Sequence, residues 1–225
     1  MGWHGHLDLR YRFDAGRTVG HDRHDGPLRV LASLHPEGPA VCHHVLVHPP
    51  GGIVGGDTLE ITAELQPHAH ALITTPGATR FYRSAGPRAE QALVARVEPQ
   101  ARLEWLPLET IAYNGTQACN RMRFELAAGA EMMGWDLLAL GLPAAGEPFE
   151  RGRFEQQIEL PGAWLERGVL DTGDALTARL LGSPLGWDGR TVLATLWFAA
   201  GAPVEPHRRE GLLDAGRGGG RRVFE

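Results

Sequence analysis

Short segments of alternating apolar and polar residues, separated by turn residues, constrain the fold of this 225-residue chain more than any other feature. Examples are Val41–His48, Thr58–Gln66 and Arg121–Ala127. Such segments recur at intervals of about ten residues, which is typical of an all-β domain. A helical pattern is clear only at Ala175–Leu181, where Thr172 or Asp174 would cap the start and Gly182 would end the helix. The pattern predicts a mainly β protein with one or two short helices.

A weak internal repeat suggests how the strands are arranged. A glutamate or arginine, an apolar residue and a tight turn are followed by an alanine that starts the next strand. The copies end at Ala69, Ala101, Ala130 and, in a shorter form, Ala163. A period of about thirty residues predicts stacked β-strand layers, similar to a β-solenoid, with the alanines packed where the turns lie above one another. Chance recurrence of common turn sequences is the alternative explanation.

Composition and segment boundaries limit the class of protein. The β pattern stops near Ala200, so we expect one β-rich domain over residues 1–200 and a disordered Gly/Arg-rich tail over residues 201–225. A net charge of −5 argues against nucleic acid as the main partner. No segment approaches the ~20 apolar residues of a membrane span, and His4 and His6 stand where a secretory signal would be apolar. We therefore expect a cytoplasmic protein.

The segment His48–Asp57, with the sequence HPPGGIVGGD, specifies an unusual backbone path. Proline fixes φ and removes an amide donor, whereas glycine permits positive φ or close approach of another chain segment. A phosphate-binding P-loop is excluded because the chain contains no lysine. The segment is either an ordinary turn between strands or a loop shaped to fit a ligand or a partner, and Asp57 is placed to cap free amides or to face that partner.

Residues suited to catalysis are scarce, since the chain lacks the GxSxG, HExxH and CxxC motifs. On a strand, Cys42, His44 and His48 share one face while His43 points to the other, so Cys42 and His43 do not form a nucleophile–base pair. Cys42 is therefore predicted to be a buried, inert thiol. The histidines belong either to a solvated surface or to a site of passing metal contact.

The segment Leu103–Ile111, with the sequence LEWLPLETI, contains a second group of candidate residues. Trp105 is expected in the core and Glu104 on the opposite face of the strand. Pro107 ends strand pairing, which leaves Glu109 free to meet a partner.

Three segments in register resemble a known family. HPPGGIVGGD at His48–Asp57, TTPGATRFYRS at Thr74–Ser84 and LEWLPLETI at Leu103–Ile111 follow the order and spacing of the urease accessory protein D family (UreD, also called UreH). The segment from Gly141 to Gly152 is similar to the family's GRxAxGExFxxG stretch, with Leu142 in place of the arginine. The resemblance runs from about Leu7 to about Pro203, and the tail departs from it, as a truncated family C-terminus would.

The resemblance implies a urease maturation chaperone, not an enzyme. Such a protein is a β-rich scaffold that binds accessory protein F, which recruits the nickel-carrying GTPase, accessory protein G. The assembly docks on apo-urease and helps to build its nickel centre. The resemblance implies no tightly bound cofactor, only transient nickel, and it places GTP hydrolysis in the partner.

We expect the residues that contact transient nickel or a partner to come from these motifs. The candidate nickel path comprises His48, Asp57, Glu104, Glu109 and Glu147. The motif residues expected to shape the loops or to contact a partner are Pro49, Pro50, Gly51, Gly52, Gly55, Gly56, Thr74, Thr75, Tyr82, Trp105 and Pro107.

Two other functions remain open from the sequence. The first is a β-helical polysaccharide-active enzyme that would use paired carboxylates such as Glu104 and Asp136 for acid–base chemistry. The second is an interaction scaffold without a metal path, which differs from the chaperone only in its handling of nickel.

Overall fold

The computed structural model describes residues 2–219 and consists mainly of β-strands. The strands are β1 His4–Asp14, β2 Arg17–Asp25, β3 Arg29–Leu34, β4 Val41–Val47, β5 Thr58–Leu65, β6 His70–Thr74, β7 Thr79–Phe81, β8 Ala89–Val97, β9 Arg102–Trp105, β10 Thr110–Ala112, β11 Thr116–Leu126, β12 Glu131–Leu142, β13 Glu147–Pro148, β14 Gly152–Leu160, β15 Trp164–Asp171 and β16 Val192–Ala200. The helices are α1 Ala175–Gly182 and α2 Pro206–Gly219, with a 3-10 turn at Pro143–Ala145.

The strands form two sheets that are built coil by coil. Sheet A has the order β15-β14-β11-β8-β5-β1-β2, and sheet B has the order β3-β4-β6-β9-β12-β10-β7, with β13 and β16 paired to β12. Neighbours inside sheet A, from β1 to β14, are parallel, whereas β2 and β15 close the two ends in antiparallel pairing. Each successive coil supplies one strand to sheet A and the next strands to sheet B, as in a β-solenoid of about four turns. The predicted fold class is confirmed.

The alanine repeat marks one corner of this stack. Ala69, Ala101 and Ala130 are completely buried in the turns that lead from sheet A to sheet B. The Arg102 amide donates to the Ala69 carbonyl (2.8 Å), and the Glu131 amide donates to the Ala101 carbonyl (3.1 Å). Ala163 is exposed because it lies in the hairpin between β14 and β15, at the end of the stack, where no further coil covers it.

The core lies between the two sheets. Along β5 the side chains alternate between buried and accessible positions, so Leu59 and Ile61 point inward. Phe124 from sheet A contacts Trp105 and Trp197 from sheet B, with ring centroids 6.4 Å and 5.7 Å apart. Removal of these side chains from water is the main favourable contribution to folding and holds the sheets face to face.

Of the two helices, α1 was expected from the sequence and α2 was not. Helix α1 occupies the predicted residues, and the Asp174 carboxylate caps it by accepting from the Leu176 amide (2.9 Å). The tail was expected to be disordered, but α2 begins at Pro206, and Arg208 ties it to Glu131 and to the ring of Phe198. This contact gives part of the tail a place on the folded domain. Residues 220–225 of the predicted tail lie outside the described residues.

Candidate functional site

The loop His48–Asp57 returns the chain from sheet B to sheet A, and Asp57 fixes its shape. The Asp57 carboxylate is 6% exposed and accepts from the amides of Trp3 (2.8 Å) and Val54 (3.0 Å). A carboxylate that accepts two amides satisfies donors that would otherwise be buried without partners. In this structure Asp57 therefore acts as a cap that joins its loop to the chain start.

Glycines in the loop allow it to pack against the segment Thr74–Ser84. A Cβ at Gly52 would overlap the ring of Tyr82, and one at Gly55 would overlap Ser84. Backbone bonds between Ile53 and its neighbours in that segment reinforce the contact: the Ile53 amide donates to the Arg80 carbonyl (2.7 Å), and the Tyr82 amide donates to the Ile53 carbonyl (2.9 Å). Two motifs that are separate in the sequence are therefore one structural unit.

The segment Leu103–Ile111 is joined to the same unit through threonine hydroxyls. Thr74 Oγ1 donates to the Leu106 carbonyl (2.6 Å), and Thr75 Oγ1 accepts from the Leu108 amide (3.0 Å). The Pro107 carbonyl, which has no strand partner, accepts from Trp135 Nε1 (2.6 Å). All three motifs thus lie on consecutive coils, in contact with one another.

A cavity of about 330 Å³ lies beneath these motifs and extends between the sheets. Exposed residues at its rim include Pro49, Gly51 and Pro76, and its lining continues to the buried residues Asn120 and Asp136. The motif loops are therefore the rim of a passage that leads from solvent into the interior of the stack. We call it the interior cavity.

The inner end of the interior cavity is polar. Gln91 Nε2 donates to Asn120 Oδ1 (3.2 Å), and the Gln156 amide donates to the Asp136 carboxylate. Burial raises the pKa of Asp136 to about 6, because a charge is poorly solvated there. In the described part of the chain, Gln156 Oε1 has no hydrogen-bond partner. An unpaired buried polar atom costs free energy unless water or an ion satisfies it.

His48 supplies a metal-binding group near the rim. It lines the interior cavity and is half-buried, and this burial lowers the pKa of its imidazole, while the charge of Asp57 partly opposes the effect. A lowered pKa keeps the imidazole neutral at pH 7, which is the form that binds nickel, copper or zinc.

The structure does not bring the five candidate nickel residues together. His48 lines the interior cavity, and Asp57 caps the loop. Glu104 is hydrogen-bonded to His70 on the outer side of sheet B (Oε1 to Nε2, 2.8 Å). The backbone carbonyl of Glu109 accepts from the Thr79 amide. Glu147 is exposed at another corner of the stack. Within residues 2–219 no group of three or more His, Cys, Asp or Glu side chains is arranged to hold a metal ion.

The cavity residues Gln91 and Asn120 were not predicted. Their only sequence signal is a polar residue at an inward position of a predicted strand. The sequence suggests Asp136 only as a catalytic partner of Glu104, and that pairing is wrong. The β9–β12 register places Glu104 beside Met133 and Trp105 beside Gly134, so Asp136 shares the inner face with Trp105. The two carboxylates therefore lie on opposite faces of sheet B.

The Cys42 and His44 face of β4 belongs to the core. His44 is completely buried and bonds to Tyr11 (Nδ1 to Oη, 2.8 Å) and Ser33 (Nε2 to Oγ, 2.8 Å), and burial lowers its pKa to about 4. Burial also raises the pKa of the Cys42 thiol, as the predicted inert thiol requires. Both ring nitrogens of His44 are occupied, so it is a structural residue here.

The fold and this site define a class: a β-solenoid-like scaffold with an interior cavity, polar at its inner end, beneath the three motif loops at one corner. Among residues 2–219, no helix is long and apolar enough to cross a membrane. The family model of the UreD urease accessory protein matches residues 4–220. The chain belongs to the UreD urease accessory protein family.

Relatives with the same description cover nearly the whole chain. The protein named urease accessory protein UreD of Leptothrix cholodnii is 63% identical over 219 residues, which are 96% of this chain and 78% of the relative. That of Methylibium petroleiphilum is 62% identical over 233 residues, with 96% of this chain and 79% of the relative covered. That of Albidiferax ferrireducens is 59% identical over 217 residues.

Proposed function

We propose that this protein is a non-catalytic urease maturation factor that acts in the cytoplasm. It would serve as a scaffold on which accessory proteins F and G meet apo-urease while the nickel centre is assembled. The observation that carries the proposal is the 63% identity, over 96% of the chain, to a protein named urease accessory protein UreD. The family match over residues 4–220 supports the same conclusion.

The interior cavity supports a role in passing nickel through the scaffold. It offers a neutral imidazole near the rim, at His48, and a carboxylate at its inner end, at Asp136. Oxygen and nitrogen donors of this kind suit a divalent metal. Few donors at each point favour weak binding and release, which a conduction path requires. Nickel would then be a transient cargo, and the protein would hold no resident cofactor.

An interaction scaffold without a metal path is the second candidate. It is favoured by the lack of any three-ligand metal group in the described residues. Equilibrium dialysis with nickel, with and without accessory protein F, separates the two candidates. Binding that is lost in the His48→Ala variant supports the path through the cavity, whereas no nickel binding in either sample supports the scaffold without a path.

Complementation tests the proposed function itself. We expect that deleting the gene in a urease-positive host abolishes urease activity and the nickel content of purified urease, and that a plasmid carrying this chain restores both. Urease protein should accumulate to the same level in each strain, because maturation and not synthesis is affected. Unchanged nickel content after the deletion would contradict the proposal.

A further inference from the structure

A second polar depression lies where the connections of three coils meet. The residues after β7, the residues after β10 and the segment from β13 to the start of β14 enclose an open notch of about 510 Å³. We call it the corner notch; its lining residues are Tyr82, Arg83, Tyr113, Asn114, Glu147 and Arg151. Tyr82 also packs on Gly52, so the corner notch adjoins the loop His48–Asp57.

The walls of the corner notch are held by specific contacts. The rings of Tyr82 and Tyr113 pack edge to face, with centroids 4.9 Å apart. Asn114 Oδ1 accepts from the Arg151 amide (2.8 Å), which fixes the backbone that carries this arginine. The stem of Arg83 lies over Gly115, where a Cβ would be only 2.8 Å from Cγ of Arg83. The two arginines are thus held near their backbones, and both residues are exposed.

The charges in the corner notch have no partners of their own. In the part of the chain that the structure describes, neither Arg83 nor Arg151 lies within ion-pair distance of a carboxylate, and Glu147 has no basic partner. By contrast, Arg88 and Arg121 both lie within 4.0 Å of Glu155 on sheet A. Two arginines and a glutamate that face one opening without pairing leave their charges available to a ligand.

We propose that the corner notch binds an acidic side chain of a partner polypeptide. Arg83 and Arg151 would bind the carboxylate, the two tyrosines would border it, and Glu147 would accept from a neighbouring basic or amide group of the same segment. Guanidinium groups match the geometry of a carboxylate, and a wall of tyrosine is typical of polypeptide interfaces. Repulsion from Glu147 grows with the charge of the ligand, so it disfavours a dianionic phosphate more than a singly charged carboxylate. This inference rests on the proposed function, which supplies the partners.

Direct binding measurements test the corner notch. The Arg83→Gln/Arg151→Gln variant is compared with wild type for binding to purified accessory protein F and to purified apo-urease, by biolayer interferometry at one salt concentration. The matched control is Arg12→Gln/Arg23→Gln, which removes two exposed arginines from β1 and β2. We expect the notch variant to bind one of the two partners at least about tenfold more weakly, and the control to stay within about twofold. The proposal would be overturned if the notch variant bound both partners as tightly as wild type does, or if the notch variant and the control lost affinity equally.

The chemistry of the bound segment is tested on an array of overlapping peptides from the partner that loses affinity. Bound peptides should contain Asp or Glu, and replacing it by Asn or Gln should remove binding; capture of peptides that lack an acidic residue would overturn the proposal.

Complementation separates this inference from the proposed function. If wild type fails to restore urease activity, the proposed function fails. If wild type restores it, and the notch variant binds both partners normally, only the corner notch assignment fails.

Discussion

Two buried carboxylates, one on each sheet, differ in whether arginines neutralise their charge. Glu155 on β14 has a side chain only 8% exposed and is surrounded by arginines on the outer face of sheet A. These are Arg88 (3.5 Å), Arg121 (3.8 Å), Arg153 (3.7 Å) and Arg167 (3.5 Å). Asp136 on β12 is 6% exposed, bonds to the amide of Gln156 and, among the described residues, has no arginine within ion-pair distance.

Because of this difference, the charge of Glu155 has a structural role, whereas the charge of Asp136 is available to a ligand. Arginines compensate the charge of Glu155, so little remains for a ligand to satisfy. Asp136 keeps an uncompensated charge in the interior cavity, where burial raises its pKa to about 6. Asp57 is intermediate, because backbone amides, not cations, satisfy its carboxylate. Substitutions at these three carboxylates can test this ranking.

The largest effect is expected at Asp136, through the pH dependence of stability. Its pKa rises from 3.8 to about 6 on folding, so the unfolded state releases the proton first as pH increases. The stabilisation from the protonated form is complete below pH 4 and is lost as pH rises through 6. The difference between a pKa of 3.8 and one of about 6 corresponds to about 3 kcal/mol. Between pH 4 and pH 7, wild type should therefore lose about this much free energy of unfolding. The Asp136→Asn variant, which has no proton to release, should not lose it.

Urea denaturation at a series of pH values measures this difference. The control is Asp14→Asn, an exposed carboxylate on the β1–β2 turn, which should show no comparable change. A difference between Asp136→Asn and wild type that is constant from pH 4 to pH 7 would show that Asp136 is not held uncompensated, and the contrast with Glu155 would disappear.

A smaller loss is expected when the cap at Asp57 is removed. Asp57→Ala leaves the amides of Trp3 and Val54 without their acceptor, which costs about 2 kcal/mol. Asp57→Asn keeps one acceptor oxygen and should recover part of the loss. Thermal unfolding and urease activation are measured on the same variants. If the cap is the role of Asp57, stability and activation fall together and recover together. Loss of activation in Asp57→Asn at wild-type stability would instead identify a contact to the ion or to a partner.

Much of the fold could be predicted because its signals are local. Side chains alternate along a strand with period two, and the small residues at Ala69, Ala101 and Ala130 recur wherever coils stack. Strand β2 was not predicted, since most of its side chains are polar and exposed. It forms because the two-residue turn Ala15–Gly16, with both φ values positive, pairs Asp14 with Arg17 and returns the chain along β1.

The site was predictable as motifs but not as geometry. The sequence marks the loop His48–Asp57 and Tyr82 as unusual, yet it does not show that Gly52 lies against the Tyr82 ring. Nor does it show that Asp136 meets Gln156 between the sheets. These contacts join positions far apart in the chain, and they depend on the register of several coils together. Local periodicity carries no information about that register.

The smallest effect is expected where charge is already compensated, at Glu155. Glu155→Gln removes the carboxylate shared by four arginines, but these side chains are 39% to 61% exposed, so water screens most of the repulsion that remains. We expect a loss of about 1 kcal/mol in the free energy of unfolding at low salt, and less at 0.5 M NaCl, because ions screen the uncompensated guanidinium groups. Urea denaturation at the two salt concentrations measures it, with Gln157→Glu as the control that adds a carboxylate on the same strand. A loss that is large and independent of salt would show that Glu155 is held by burial and not by its arginines, and the two carboxylates would then be alike.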